Sequence, residues 1–426
     1  MNKYDMAMEF LGRTASRGIV PGLSRIETLL GMLGDPQNAV PVIHVSGTNG
    51  KGSFSAMLSA VLSRAGFRTG SFSSPALTGV TDSFRIDGEE ITGEKFAEII
   101  LDIAPLWEKM NDKPTEFEVL TAAAYELFRR ENCDIAIVEC GLGGDEDSTN
   151  VISSPLLSVI TNVSRDHCGI LGNTTAEIAS HKAGIIKSGR PVFFGGSDEA
   201  ALEVISGRAK ALGAPLYTPD SSKISLISDN RLTGTEFTYC GRNYTLALLG
   251  SYQLRNALNM LSCVDILRGI GMDIPEKAVS VGLAEVRWHG RFELLSSDPV
   301  IIIDGAHNPD GVACAAQSIK QYFDGGPVLL LMGVMADKEY QFYPELLGGL
   351  AARVFTVRPD NPRSLDGAAL AEVFSAKGIP AESFTDLSEG VKCAVDTAKE
   401  TGLPLVALGS LYMYRQFTKA LRSITE

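Results

Sequence analysis

The chain has 426 residues, 45% of them hydrophobic and 21% charged, a length beyond what one hydrophobic core serves and a composition that excludes wholesale disorder. Its 51 acidic against 38 basic side chains give a net charge of −13, and without clustered Lys and Arg it lacks the electrostatic footprint of a nucleic-acid binder. Seven cysteines with no C-x-x-C pair exclude a simple disulfide framework and fit reduced thiols in the cytoplasm.

The opening residues, Met1-Asn-Lys-Tyr-Asp-Met-Ala-Met8, carry no apolar core of the kind a secretory signal needs. No stretch reaches the roughly 18 to 20 apolar residues of a membrane span, so a cytoplasmic protein with no membrane partner is expected. Apolar runs at 42–45, 135–139, 156–161 and 192–194 read as buried strands, alternating with helical periodicity at 54–65, 94–110, 117–130 and 174–187. That alternation predicts a mostly parallel α/β sheet. From 215 to 249 the chain turns to short β-rich pieces broken by Ser-Asp-Asn, Thr-Gly and Cys-Gly-Arg-Asn turns, which predict a small antiparallel part. A helix over 252–267 follows. The alternation restarts with strands at 300–304, 328–332, 354–357 and 405–408 and helices near 311–322, 366–377, 387–401 and 411–423. This predicts a second, smaller α/β domain of Rossmann-like type. Charge, Gly290 and a Ser-Ser pair interrupt the periodicity between 285 and 298, so the expected division is 1–288, a linker at 289–298, and 299–426.

Directly after the first strand stands His44-Val-Ser-Gly-Thr-Asn-Gly-Lys-Gly-Ser53. Gly47, Gly50 and Gly52 let the backbone turn its N–H groups toward one point, with Thr48 and Asn49 as further nucleotide-binding positions between them, Lys51 adds positive charge, and Ser53 offers a hydroxyl for Mg²⁺ at a helix start. The expected ligand is ATP. Val45 occupies the place of the first glycine in the common G-x-x-x-x-G-K-[ST] spacing, and the plainer reading is a glycine-rich turn before a helix. Glu139, at the end of a second strand and followed by Gly141, Gly143 and Gly144, suits Mg²⁺, a hard cation that prefers oxygen; it could equally pair with a lysine. His167 follows a third strand, where a structural histidine is the alternative to a ligand. Lys182 lies in an apolar-flanked helix, where a solvated surface lysine is the plain reading.

Together these segments resemble the folylpolyglutamate synthase and dihydrofolate synthase family of Mur-type ATP-dependent amide ligases. The resemblance runs through Pro21-Gly-Leu-Ser-Arg-Ile26, the glycine loop, Ser73-Ser-Pro75, Phe117-Glu-Val-Leu-Thr121, Glu139 to Asn150, His167, Lys182-Ala-Gly-Ile185, Asn256-Ala257, Gly290-Arg-Phe-Glu293, Asp304-Gly-Ala-His-Asn-Pro309, Asp337-Lys338, Pro362-Arg363 and Gly409-Ser-Leu-Tyr412. It implies an N-terminal P-loop ATPase-type domain with a folate or pteroate site and a C-terminal glutamate-ligase domain. Ser53, Glu139 and His167 would hold Mg²⁺, and Gly50 to Ser53 the triphosphate. Lys182 would be carbamylated and support a second Mg²⁺. Asn256, Arg291 and Asp304 match nucleotide-contacting residues. His307 and Ser410 match parts of the site that receives the glutamate or closes over the acyl phosphate. Arg25, Phe117, Glu118, Thr121 and Asp145 fall in the segments implied to face the acceptor.

The implied reaction consumes ATP, L-glutamate and a folate or dihydropteroate, in a monomer. Competing readings are a Mur-type ligase acting on another carboxylate and a weakly active paralogue that binds nucleotide or folate. Four positions depart from the family pattern: Asp145 stands for the usual arginine, Ala76 for a histidine, His181 for an acidic residue and Tyr252 for a histidine. These departures bear on the acceptor side, because the expected ATP and metal positions are intact.

Overall fold

The computed structural model describes residues 2–18, 20–228 and 231–425. They form two compact units, one of Met1–Ser222 with Asn256–Glu285, the other of Lys223–Arg255 with Val286–Glu426. Among the described residues no helix is long and apolar enough to cross a membrane.

The first unit is built on an eight-stranded sheet. Its strands in chain order are β1 (Val42–Ser46), β2 (Thr69–Phe72), β3 (Phe84–Ile86), β4 (Glu89–Glu90), β5 (Ile135–Glu139), β6 (Leu157–Ile160), β7 (Val192–Phe194) and β8 (Leu216–Tyr217). They lie in the order β4-β3-β2-β5-β1-β6-β7-β8. Six pair in parallel, and at one edge β3 pairs antiparallel with β2 and β4 antiparallel with β3, so that β3 alone opposes the direction of the rest. β1, β5 and β6 are buried at every residue, which is why they read as continuous apolar runs rather than alternating ones. In register, Val45 stands beside Glu139 on one side and Val159 on the other. The loops that leave these strands therefore emerge together at the carboxyl edge, where open α/β sheets bind ligands.

Helix Lys51–Arg64 leaves β1 through Gly50, whose left-handed φ of 85° is open to glycine at little cost. It packs against helix Glu276–Glu285 so closely that a Cβ on Gly282 would lie 2.8 Å from the Val61 backbone. On the other side of the sheet a core of Phe10, Leu29, Phe96, Trp107, Val119 and Phe128 binds the amino-terminal helices to it. The first of these, Lys3–Ala15, is started by a capping box between Asn2 and Asp5.

The second unit holds a six-stranded sheet and a three-stranded one. The smaller comprises β9 (Ile224–Ser228), β10 (Thr235–Tyr239) and β11 (Arg242–Leu246), all antiparallel. The larger comprises β12 (Glu293–Ser297), β13 (Val300–Ile303), β14 (Val328–Met332), β15 (Ala351–Thr356), β16 (Ala381–Ser383) and β17 (Leu405–Leu408), in the order β12-β13-β17-β14-β15-β16. Only β12 is antiparallel to its neighbour, and helices Pro309–Tyr322, Gly367–Ser375 and Leu387–Thr401 complete the Rossmann-like pattern.

Two details differ from the sequence reading. The stretch expected to be a linker, 289–298, includes strand β12, paired to β13; its polar residues leave that strand only half-buried at a sheet edge. The antiparallel part belongs to the second compact unit, whereas the expected division at 288 puts it in the first.

Candidate active site

The turn after β1 is held from below by the segment after β6. Thr48 N donates to the Asn162 carbonyl (3.1 Å), Asn49 N to Asn162 Oδ1 (2.7 Å), and Thr161 Oγ1 to the Asn49 carbonyl (2.7 Å). Gly47 sits at φ 147° with Thr161 Oγ1 where a Cβ would be, 1.9 Å away, so no other residue fits. Gly50 is pressed in the same way against Asn256 Oδ1, at 2.6 Å from an added Cβ. Two glycines are thus required by contact as well as by φ. Asn256 is thereby brought against the loop at Gly50.

Lys51 Nζ donates back to the carbonyls of Gly47 (3.0 Å) and Thr48 (3.3 Å) and lies 3.8 Å from the Glu139 carboxylate. Ser53 and Glu139 are buried at 1% and 4% exposure. Hydroxyl and carboxylate are oxygen donors, the chemistry a hard divalent cation selects, so the residues present fit Mg²⁺. The plain reading of Glu139, a pairing with lysine, is also met, through Lys51. His167 caps the short helix Cys168–Leu171 in a left-handed conformation (φ 51°), with its ring partly open and 3.8 Å from the neighbouring Asp166 carboxylate.

Lys182 is not a surface lysine. It is 4% exposed at the end of helix Thr175–Lys182. Burial first, and then the charge of Lys51, push its pKa down from 10.5 to about 7, against the weaker pull of Cys140, Asp166 and Asp147. A half-neutral amine therefore lies close to the glycine loop.

Glu139 leads into Cys140–Asn150, a segment pinned on several sides. Ser46 Oγ donates to the Gly143 carbonyl (2.6 Å), and Asp147 accepts from Leu142 N (2.8 Å) and from Thr149 N (3.0 Å) and Oγ1. His44 Nε2 meets Thr149 Oγ1 at 2.8 Å, and burial holds this ring neutral, its pKa pushed down to about 3. Phe117 covers Gly141, where a Cβ would be 2.5 Å from its ring, and Thr121 Oγ1 meets Ser148 Oγ at 2.8 Å. These two positions are therefore brought to the glycine segment.

Arg25 and Glu118 are engaged with each other. Arg25 Nε reaches the Glu118 carboxylate at 3.1 Å, both are buried, and Arg25 Nη2 also holds the Val20 and Pro21 carbonyls. Glu118 closes a capping box with Thr115. Asp145 faces His181, with carboxylate to Nδ1 distances of 3.0 and 3.1 Å, and its N–H donates to the His181 carbonyl (2.9 Å). The two departures at 145 and 181 thus make one pair, with the acid now on the glycine segment.

The second unit carries the remaining expected residues. Asp304 is buried, its Oδ1 accepting from Ala306 N (2.7 Å) and its Oδ2 from Phe292 N (2.8 Å) and Tyr252 Oη (2.7 Å). Arg291 Nη1 donates to the Gly290 carbonyl at 3.1 Å. His307 Nδ1 lies 2.7 Å from the Gly305 carbonyl, and Ser410 Oγ caps the turn Leu411–Met413 through Tyr412 N (3.2 Å). Sequence reasoning passed over Thr161 and Asn162, which shape the loop, although both stand just ahead of His167. It also passed over Asp166, whose place beside His167 was the available signal.

A glycine-rich loop at the edge of a mostly parallel sheet, in a chain with a second, Rossmann-like unit, is the plan of a Mur-type ATP-dependent ligase. Accordingly the Mur ligase middle domain matches residues 45–264 and the Mur ligase glutamate ligase domain matches residues 290–410. The dihydrofolate synthase/folylpolyglutamate synthase of Bacillus subtilis is 32% identical over 98% of this chain and 99% of its own. The solved Mycobacterium tuberculosis folylpolyglutamate synthase complexed with ADP and AMPPCP superposes with a TM-score of 0.88 at 29% identity, covering 99% of this chain and 98% of that one. Escherichia coli FolC in complex with DHPP and ADP gives 0.84 at 27% identity, with 99% and 98% covered. The chain belongs to the folylpolyglutamate synthase/dihydrofolate synthase family.

Proposed function

We propose that this protein joins L-glutamate to the carboxylate of a folate or dihydropteroate at the expense of ATP. A carboxylate oxygen of the acceptor attacks the γ-phosphorus as the bond to ADP breaks, giving an acyl phosphate. The glutamate amine, having lost its proton, then attacks the acyl carbon and phosphate leaves. The observation that carries the reading is the glycine loop with Lys51 directed back across it and Glu139 within 3.8 Å, in a chain that matches this family over nearly its whole length.

In this reading Gly47 to Ser53 and Asn256 hold the nucleotide, and Lys51 stabilises charge on the transferred phosphoryl group. Ser53, Glu139 and His167 would hold Mg²⁺, which when bound neutralises charge on the phosphate oxygens. Phe117, Thr121 and the 141–150 segment line the acceptor site, with Arg25 and Glu118 supporting it from behind through their buried pair. Arg291 and Asp304 serve the nucleotide, and His307 and Ser410 the glutamate. Residues 1–288 and 299–426 would then be the ATP-binding and glutamate-ligase domains. Lys182 is poised for carbamylation: its neutral amine adds to CO₂ and loses a proton, turning a cation into an anion suited to a second Mg²⁺.

The test is direct. With Mg-ATP, L-glutamate and either dihydropteroate or tetrahydrofolate, mass spectrometry should show a product heavier by one glutamyl residue, and Lys51→Ala should lose about 10²-fold or more in rate with its circular dichroism unchanged. ATP turnover with no glutamylated product from either acceptor would remove the proposal.

A further inference from the structure

The turn that presents Arg291 is strained. Gly290 (φ 70°) and Phe292 (φ 44°) both lie in the left-handed region, and a phenylalanine adopts that conformation only where its surroundings impose it. Asp304 Oδ2 accepts the Phe292 N–H at 2.8 Å, and Gly305 N donates to the Gly290 carbonyl at 2.9 Å. The Arg291 guanidinium lies over Gly305, where a Cβ would come within 2.4 Å of Nη1. Holding this turn therefore depends on the carboxylate of Asp304, and that carboxylate is in turn held by the Tyr252 hydroxyl at 2.7 Å.

Tyr252 is itself fixed. The preceding turn is bound to helix Pro309–Tyr322 through Gly250 N to Tyr322 Oη (3.2 Å) and Ser251 N to Ser318 Oγ (3.0 Å). At Gly250, whose φ is 111°, an added Cβ would press on the Tyr252 ring (3.0 Å) and Phe292 Cβ (3.3 Å), so ring and turn are closely packed there. Phe292 in turn packs on Tyr322 with ring centroids 5.3 Å apart. Burial pushes the phenol pKa up, so the hydroxyl keeps its proton and donates it.

We propose that Tyr252 is a positioning residue: its hydroxyl orients Asp304, which fixes the strained turn 290–292 and so holds the Arg291 guanidinium in the one orientation that nucleotide binding uses. The inference rests on the reading of Arg291 as a nucleotide residue. It gives Asp304 a task different from direct contact and gives the tyrosine at 252, a departure from the family pattern, a function.

A binding cycle on the full chain tests it, with Mg-ADP as probe in isothermal titration. Tyr252→Phe and Arg291→Ala should each weaken binding about tenfold, the size of one hydrogen bond to a charged group, and the double variant should bind no more weakly than Arg291→Ala alone. In steady state Tyr252→Phe should raise KM for ATP about tenfold and leave KM for glutamate and acceptor within about twofold. Tyr252→His, which keeps a ring donor, should recover part of the loss, and it carries the test if the phenylalanine variant does not fold. Additive losses in the double variant, equal KM changes for all three substrates, or wild-type ADP affinity in Tyr252→Phe would each overturn the inference. Absence of ligation by the wild type would count against the proposed reaction alone, since the ADP cycle is read without it.

Discussion

Lys182 shows how far a single residue can depart from its ordinary chemistry. Its type and helical setting suggest a solvated cation, and only the packing of helix Thr175–Lys182 against the glycine segment makes it buried. With a pKa of about 7, its neutral fraction grows from about a tenth at pH 6 to about nine tenths at pH 8. Incorporation of ¹³C-bicarbonate into the Lys182 carbamate, followed by NMR, should therefore rise steeply across this interval and vanish in Lys182→Ala. A signal that is absent at pH 8, or flat with pH, would contradict the carbamate. The same shift affects stability. Because the folded pKa is depressed below 10.5, the cost of burying the charge is fully present below about pH 7 and is relieved as pH rises from there toward 10.5. Residue by residue, the loop glycines and Lys51 were legible because backbone conformation and charge demand those types locally. The pairing of Arg25 with Glu118 was not, since 93 positions separate them and no local pattern records a long-range ion pair. Asp145 with His181 was hidden for the same reason: each reads alone as a departure, and together they are one contact.

At the scale of elements, the buried strands β1, β5, β6 and β14 were readable because strands covered on both faces become uninterrupted apolar runs. Strand β2, Thr-Gly-Ser-Phe, carries one large apolar residue and gave no signal; it is a strand because β5 and β3 flank it. Helix Glu276–Glu285 was also missed, being short and weakly patterned, yet it decides how the phosphate-loop helix sits. Gly282 is the point of contact, with the Val61 backbone 2.8 Å from where a Cβ would be. Gly282→Val should force the two helices apart at a cost of about 1–3 kcal/mol, lowering the urea midpoint of the first unit. By shifting the amino terminus of Lys51–Arg64, it should also weaken nucleotide binding. An unchanged midpoint would show that the contact relaxes freely.

For the whole molecule, the succession of two α/β halves was visible in the alternation of apolar runs with helical periods. Compactness assigns 223–255 to the second half, and helix Gln253–Gly269 runs across the division between Arg255 and Asn256. A continuous helix gives no composition break for a sequence reading to find. Strand β12 lies inside the expected linker, where the polar residues mark a sheet edge. The central claim is that the acceptor carboxylate is activated by phosphoryl transfer and then captured by glutamate. Supplying an acceptor with ¹⁸O in that carboxylate, together with Mg-ATP and L-glutamate, tests it most directly. The account predicts a glutamylated product and one ¹⁸O atom in the inorganic phosphate released; phosphate free of ¹⁸O beside normal product formation would contradict it.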